Sequence, residues 1–264
     1  VRGITPTDLR RYYRRTYTPG NLIVSVAGHV RSGEVLRAVE RLRRRWTPRA
    51  VERRPPASKL ARPAARQHAV LQSRPSLAQA HLCLGMEAPA LTSSRRFAAN
   101  LVDIVLGAGM SSRLFQQVRE KRGLAYSITS SLSAYRAGGY EAVYAACAPK
   151  NLARVLDVTL GEMRKLKRLG MSPRELARAK ENLKGSILLG LESTVSRMSA
   201  QARQHFYFGR VEPVEELLAR VEAVTLDDAG EEAGRLLDGK VLSLSVVGNV
   251  GRLPLSAADL AAAL

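Results

Sequence analysis

Aromatic side chains are scarce in this 264-residue sequence, at 5%. So thin a supply leaves no platform on which successive bases could stack, which argues against a nucleic-acid binder despite a formal charge of +19. Cysteine is almost missing too. Cys83 and Cys147 each sit in an apolar, strand-like run with no second Cys or His at zinc-finger spacing, and both read as reduced, buried thiols. The four histidines, His29, His68, His81 and His205, lie more than five residues from one another, so no two share a helix face one turn apart. They read as isolated polar or core residues. The longest apolar stretches, Leu22–Gly28 and Leu101–Gly107, fall far short of the ~20 residues a membrane-spanning helix needs. No membrane span is expected, and Val1 does not open a secretory-type leader.

What is present is the balance of a globular protein: 45% hydrophobic and 25% charged residues, with room for one large or two modest domains. Forty-two Lys and Arg face 23 Asp and Glu, which suits a polyanion or an acidic protein surface. The charges are spread along most of the chain. The clearest break is Thr47–Arg66, where Pro55, Pro56 and Pro63 interrupt every periodic pattern, and we read it as an interdomain linker.

Before the linker the pattern predicts a helix over Pro6–Tyr17, a buried strand over Leu22–Gly28 and a basic helix over Ser32–Arg45. After it come strands at Gln67–Ser73 and Ala78–Met86, a helix at Ser94–Leu106 and a short helix at Ser111–Lys121. Strands at Ala125–Tyr135 and Tyr140–Cys147 are joined through Ala137-Gly138-Gly139, a hairpin signal. Helices then dominate, at Asn151–Leu169, Pro173–Leu191, Val195–Phe208, Val214–Val221 and Leu226–Leu237, before a last strand at Val241–Gly248. Ser172-Pro173-Arg174-Glu175 marks a helix start, with a capping serine, proline at the first helical position and glutamate three residues after the cap. Hairpin-paired strands followed by helices predict an α+β fold, a mainly antiparallel sheet with helices packed on one face. Gly107-Ala108-Gly109 reads as a tight turn between helices, since no Gly-Lys-Ser/Thr follows to make a phosphate loop.

The two ends of the chain echo one another. An offset of 220 residues lays Ile4-Thr5-Pro6-Thr7-Asp8 over Val224-Thr225-Leu226-Asp227-Asp228, both Thr-x-x-Asp capping boxes. It also lays Leu22, Val26, Gly28 and Val30 over Leu242, Val246, Gly248 and Val250. Each end therefore runs capped helix, turn, apolar strand, glycine, and the expectation is a duplication whose first copy begins inside a domain.

The run from Leu106 to Ser127, LGAGMSSRLFQQVREKRGLAYS, resembles the second-domain signature of the pitrilysin-like zinc peptidases, the family of insulin-degrading enzyme and mitochondrial processing peptidase. Tyr17-Thr18-Pro19-Gly20-Asn21 with the following apolar run and Gly28 looks like the end of that family's first domain, so the resemblance covers nearly the whole chain. It implies residues 1–48 as the remnant of a first peptidase-like domain, 49–66 as linker, and 67–264 as a complete second, non-zinc domain of the duplicated fold. In the family, zinc is held by a His-x-x-Glu-His helix, whose two imidazoles bind the metal while the Glu deprotonates a bound water. That motif is missing here, so the resemblance places zinc in another domain or subunit and assigns no cofactor to this chain. It also implies that an Arg and a Tyr seven residues apart reach toward substrate, and the matching residues are Arg119 and Tyr126. A guanidinium and a phenol are donors suited to a peptide carbonyl on which negative charge develops. Strand addition of an extended peptide is implied as well, with Ala78–Met86 or Tyr140–Cys147 as candidate edges.

The resulting expectation is the substrate-binding half of a zinc metalloendopeptidase acting on unfolded peptides, inactive alone. Its partner would be a zinc-bearing domain or subunit in a homo- or heterodimer, in bacterial cytoplasm or periplasm. The competing readings are a non-catalytic scaffold subunit of a processing-peptidase-like complex and, behind it, a basic nucleic-acid binder.

Overall fold

The structure, a computed structural model, describes residues 3–44, 68–252 and 255–264. The Pro-rich linker Thr47–Arg66 lies outside the described residues. In chain order the elements are α1 Pro6–Thr16, α2 Ser32–Arg44, β1 Ala69–Ser73, β2 Ala80–Ala88, α3 Arg96–Leu106, β3 Ala125–Ala134, β4 Gly139–Cys147, α4 Leu152–Leu169, α5 Pro173–Gly190, α6 Thr194–Phe208, α7 Val214–Glu222, α8 Leu226–Leu236, β5 Ser243–Gly248 and α9 Ala257–Ala262. Most of these fall within two residues of the boundaries the sequence pattern predicts. The closing helix α9, started by a Ser256/Asp259 capping box, was not anticipated.

Backbone contacts divide the chain into two compact units, one of residues 1–60 with 188–212 and the other of 61–187 with 213–264. The larger unit holds a five-stranded sheet in the order β1-β5-β2-β4-β3. β1 runs parallel to β5 and every other pairing is antiparallel. Strict alternation puts Ala80, Leu82, Leu84, Met86 and Ala88 of β2, and Val143, Ala145 and Cys147 of β4, on the buried face. Against that face α4 turns a stripe at helical spacing, Leu152, Val155, Leu156, Leu160, Met163 and Leu166. Helix α3 is buried nearly all round, through Ala98, Ala99, Leu101, Val102, Val105 and Leu106. Each fully buried leucine in this layer contributes about 1.5–3 kcal/mol from removal of apolar surface from water.

The edges of the sheet are β1 and β3. The two edge candidates from the sequence, Ala78–Met86 and Tyr140–Cys147, become β2 and β4 and are interior, each hydrogen-bonded on both sides. They cannot accept a peptide strand. β2 is closed off by the long-range crossover that brings β5 between β1 and β2, and β4 by lying between β2 and its hairpin partner β3.

The smaller unit contains α1, α2 and α6, and in it Ser25 Oγ donates to Met198 O at 2.8 Å. The expected buried strand Leu22–Gly28 is not one. Its backbone joins no sheet among the described residues, and Leu22, Ile23, Val24 and Val26 are all exposed. An apolar run becomes a strand only where a neighbouring strand satisfies its backbone groups.

The 220-residue echo nevertheless holds in the backbone. Helices α1 and α8 coincide under the offset from first residue to last, and both begin with a reciprocal Thr/Asp capping box. The single-turn helices Pro19–Asn21 and Gly239–Val241 also coincide, with Asn21 N donating to Thr18 O at 2.9 Å and Val241 N to Asp238 O at 3.2 Å. Val30 N to Gly28 O and Val250 N to Gly248 O are each 2.9 Å.

Candidate functional site

The segment between α3 and β3 carries the candidate pair. Helix α3 stops at Gly107, which lies so close to β3 that a Cβ there would stand 2.6 Å from Ser130 N. Only glycine permits that approach. The chain then turns through Gly109, where Ser112 Oγ donates to Gly109 O at 2.6 Å, and Gln116 Nε2 donates to Met110 O at 2.8 Å.

The expected helix over Ser111–Lys121 forms over residues 113–120, and its Phe115–Glu120 part is a wide helical turn, closed by Lys121 N donating to Gln116 O five residues back at 3.0 Å. Val118 is fully buried beneath it, and Leu124 N donates to Val118 O at 2.9 Å. Such widened turns concentrate at functional sites because the extra residue re-aims a side chain. Arg119 lies within this turn.

Tyr126 stands on a second irregularity. Ala125 pairs with Cys147 and Ser127 with Ala146, so Tyr126 is an extra residue bulged out of edge strand β3. Its side chain is 77% exposed. The Arg119 guanidinium lies 4.8 Å from the centroid of the Tyr126 ring and 4.8 Å from that of Phe115. Each such contact contributes about 0.5–1 kcal/mol at an exposed site. Glu120 Oε1 is 3.7 Å from Arg119 Nε. The two sequence-picked residues thus meet, and Phe115, which the sequence reading passed over, joins them.

A cleft of about 490 Å³ opens between the start of α3, α7 and α8, lined by Arg95, Phe97, Arg220, Val224 and Glu232. Its Arg95 and Arg235 are already engaged, since both pair with the buried Glu232, Arg95 at 3.2 Å and Arg235 at 3.8 Å.

Beside the α3–β3 junction sits a buried carboxyl pair that the sequence reading also missed. Ser130 Oγ donates to the Asp103 carboxylate, and Glu141 of β4 is buried beside Asp103, where its protonated carboxyl can donate to the Asp103 carboxylate. Burial, then the neighbouring Asp103 charge, pushes the Glu141 carboxyl up to about 10. Burial likewise raises Asp103, against the Ser130 hydrogen bond that lowers it. A glutamate at an inward position of the alternating run Tyr140–Cys147 was the signal available for it.

The histidines stay apart. His81 Nδ1 lies 2.8 Å from Tyr144 Oη, His205 is on α6, and His68 precedes β1 rather than lying in a strand. No group of three or more His, Cys, Asp or Glu that could hold a metal ion occurs among the described residues. Cys147 is buried as expected, but Cys83 is exposed because its position on β2 points to the outer face.

The family description "Peptidase M16 inactive domain" matches residues 3–183. An uncharacterized zinc protease of Streptomyces coelicolor is 38% identical over 253 residues, spanning 94% of this chain and 54% of that protein. One of Bacillus subtilis is 32% identical over 247 residues, spanning 94% and 58%. The chain therefore spans about half the length of the curated relatives it matches. Among solved structures, a peptidase M16 inactive domain from Pseudomonas fluorescens superposes with a TM-score of 0.82 at 20% identity over 93% of this chain and 57% of that one. A chain of Candida albicans complex III superposes at 0.78 with 17% identity over 94% and 60%. With an α+β fold shared with these structures and a family match over most of its length, the chain belongs to the peptidase M16 family and carries its inactive domain.

Proposed function

We propose that this chain is the substrate-binding, non-zinc half of a zinc metalloendopeptidase that acts on unfolded peptides, with Arg119 and Tyr126 presenting the peptide to a metal held elsewhere. The observation that carries this reading is the convergence of a widened helical turn and a strand bulge on one guanidinium–phenol pair, a half-buried Arg119 whose guanidinium carbon lies 4.8 Å from the ring centroid of the exposed Tyr126. The ring contact limits the freedom of the Arg119 side chain, so less entropy is lost when its N–H groups donate to a peptide carbonyl. The Tyr126 hydroxyl, at the open edge β3, donates to the same or the next carbonyl.

The described residues do not fit zinc, having no cluster of three donors. The metal belongs to a partner domain or subunit, in keeping with relatives about twice this length that are named zinc proteases. We assign residues 1–48 to the end of a first peptidase-like domain, 49–66 to a linker and 67–264 to the second domain. The matching backbones of α1 and α8 support that assignment.

A peptidase assay tests the reading. The chain alone with added zinc is expected to be inert, and mixing it with a His-x-x-Glu-His partner half is expected to give chelator-sensitive cleavage. In the mixture, Arg119→Ala raises KM about tenfold, and both it and Tyr126→Phe lower kcat by more, because the pair holds the peptide carbonyl in the ground state and holds it more tightly as charge develops. Robust cleavage by the lone chain sinks the reading.

A scaffold role in a dimeric complex is the second reading, favoured by the exposed apolar residues Leu9, Tyr12, Leu22 and Val24 of the smaller unit. Unchanged cleavage after substituting both Arg119 and Tyr126 selects it.

A further inference from the structure

The stretch from Gly107 to Ser112 forms neither helix nor strand, and Arg113 and Leu114 open the helical turn that carries Arg119. It is fastened from one side by the start of α5. Arg113 Nε donates to Glu175 Oε1 at 2.7 Å, its Nη2 donates to Glu175 Oε2 at 2.8 Å, and the same Nη2 donates to Gly170 O at 3.0 Å. Arg178 Nη2 adds a bond to Ser111 O at 2.9 Å. Both partners of the fork are shielded, with side chains 18% and 21% exposed. A planar two-point pair of this kind fixes orientation as well as distance, which a lysine at the same place could not do.

Glu175 is anchored independently. It completes the capping box of α5, accepting from Ser172 N at 2.8 Å, while its own N donates to Ser172 Oγ at 3.2 Å. Its carboxylate is therefore a fixed post built into a helix start. Arg113, the side chain tied to that post, is two residues before Phe115, whose ring lies under the Arg119 guanidinium. A shift at Arg113 passes through Leu114, which is fully buried, directly to the ring that seats Arg119.

We propose that Arg113 and Glu175 are positioning residues for the peptide-binding pair, acting through Phe115 on Arg119. The inference rests on the reading of Arg119 given above. It makes the pair a rigid bracket across the physiological range, because the Arg113 guanidinium, ahead of Ser172, holds the Glu175 carboxyl down at about 2. The bracket is intact above the ordinary glutamate range and is lost only as pH falls through it toward that value.

The test is a double-mutant cycle on the full chain, read by fluorescence anisotropy of a fluorescein-labelled, unstructured twelve-residue peptide. Arg113→Ala and the near-isosteric Glu175→Gln are each expected to weaken binding about tenfold, the scale of one lost charge-assisted hydrogen bond. Arg113→Lys, which keeps the charge without the fork, should recover only part of that. In an Arg119→Ala background the Arg113 and Glu175 substitutions should cost nothing further, because their effect is transmitted through the missing side chain. Amide exchange across residues 115–124 should quicken in Glu175→Gln while circular dichroism stays native. If Arg119→Ala weakens binding but the Arg113 and Glu175 variants do not, or their effects add to it, the bracket is purely structural and this inference is overturned while the reading of Arg119 stands. If the parent chain binds no peptide, or Arg119→Ala binds as the parent does, that reading falls and takes the inference with it.

Discussion

The same backbone occurs twice in this molecule in opposite surroundings. Helix α8 and the strand after it bury Ala229, Ala233, Leu236, Leu242, Leu244 and Val246 beneath α3 and within the sheet. The corresponding α1 and apolar run expose Leu9, Tyr13, Leu22, Val24 and Val26, with Leu242 at 0% and its counterpart Leu22 at 48%. Caps, turn and the closing glycine are equal in the two copies. Local structure here is therefore written in local residues, whereas strand formation and burial depend on what the rest of the chain supplies. The bare copy has the surface of an element meant to be covered.

The sharpest way to break this comparison is to truncate equivalent leucines. Leu242→Ala is expected to destabilise the larger unit by about 2–5 kcal/mol, since it opens a cavity in a packed core. Leu22→Ala should change the stability of this chain by less than about 0.5 kcal/mol, as exposed substitutions do. Chemical denaturation of both variants measures the difference. Repeating it with the zinc-bearing half present sharpens the point: if the two copies are homologous parts of paired domains, the Leu22→Ala cost should then rise toward that of Leu242→Ala.

Glycines give the next contrast. A Cβ on Gly248 would meet Ala80 Cα at 2.7 Å and Gln79 O at 2.9 Å, both unable to yield cheaply, whereas a Cβ on Gly28 meets nothing within 4 Å. Gly28 still has a φ of +137°, so alanine there is strained but not blocked. Thermal melts should show Gly248→Ala lowering the transition well beyond Gly28→Ala. Equal shifts would mean that backbone strain, not the neighbouring strand, sets the requirement for glycine.

Charge offers a third contrast, between carboxyls at the helix caps and the one buried under the sheet. Asp8 and Asp228 are held below the usual range by hydrogen bonds from their capping threonines. Glu141 is pushed the other way, so in the folded state it keeps its proton while the unfolded chain gives it up. The sign follows directly: stability contributed by the neutral Glu141 is complete below about pH 4.5 and is lost as pH rises toward about 10. Glu141→Gln, which cannot ionise, should flatten that alkaline decline and raise the melting temperature more at pH 9 than at pH 5. A parallel pH profile for the variant and the parent would place the decline on other groups.

How far the sequence led follows from the same division. Helices with an apolar stripe or a capping box were legible within two residues, as at α4, α5 and α8, because their signals lie inside one turn. Arg119 and Tyr126 were legible only through the family signature, since nothing in their own spacing announces a ring contact. The wide turn at Phe115–Glu120 was read as ordinary helix because a five-residue hydrogen bond leaves no mark on apolar periodicity. The interior places of β2 and β4, the Arg113–Glu175 fork and the Asp103–Glu141 pair all join residues far apart in the chain. A single sequence carries no direct record of such partners.

The smallest expected effect is also the one where the two copies should agree. Thr5 Oγ1 accepts from Asp8 N at 3.2 Å and Thr225 Oγ1 from Asp228 N at 3.1 Å, and both Asp side chains return the bond to the threonine N–H, at 3.0 and 2.9 Å. All four residues are exposed. Thr5→Ala and Thr225→Ala should therefore cost their helices a similar amount, about 1 kcal/mol each. Amide exchange in the first turns of α1 and α8 reads this locally, without requiring the two units to unfold together. A loss at Thr225 several times that at Thr5 would show that the cap in the packed copy also anchors α8 to its neighbours, and the two capping boxes would then be alike in geometry but not in energy.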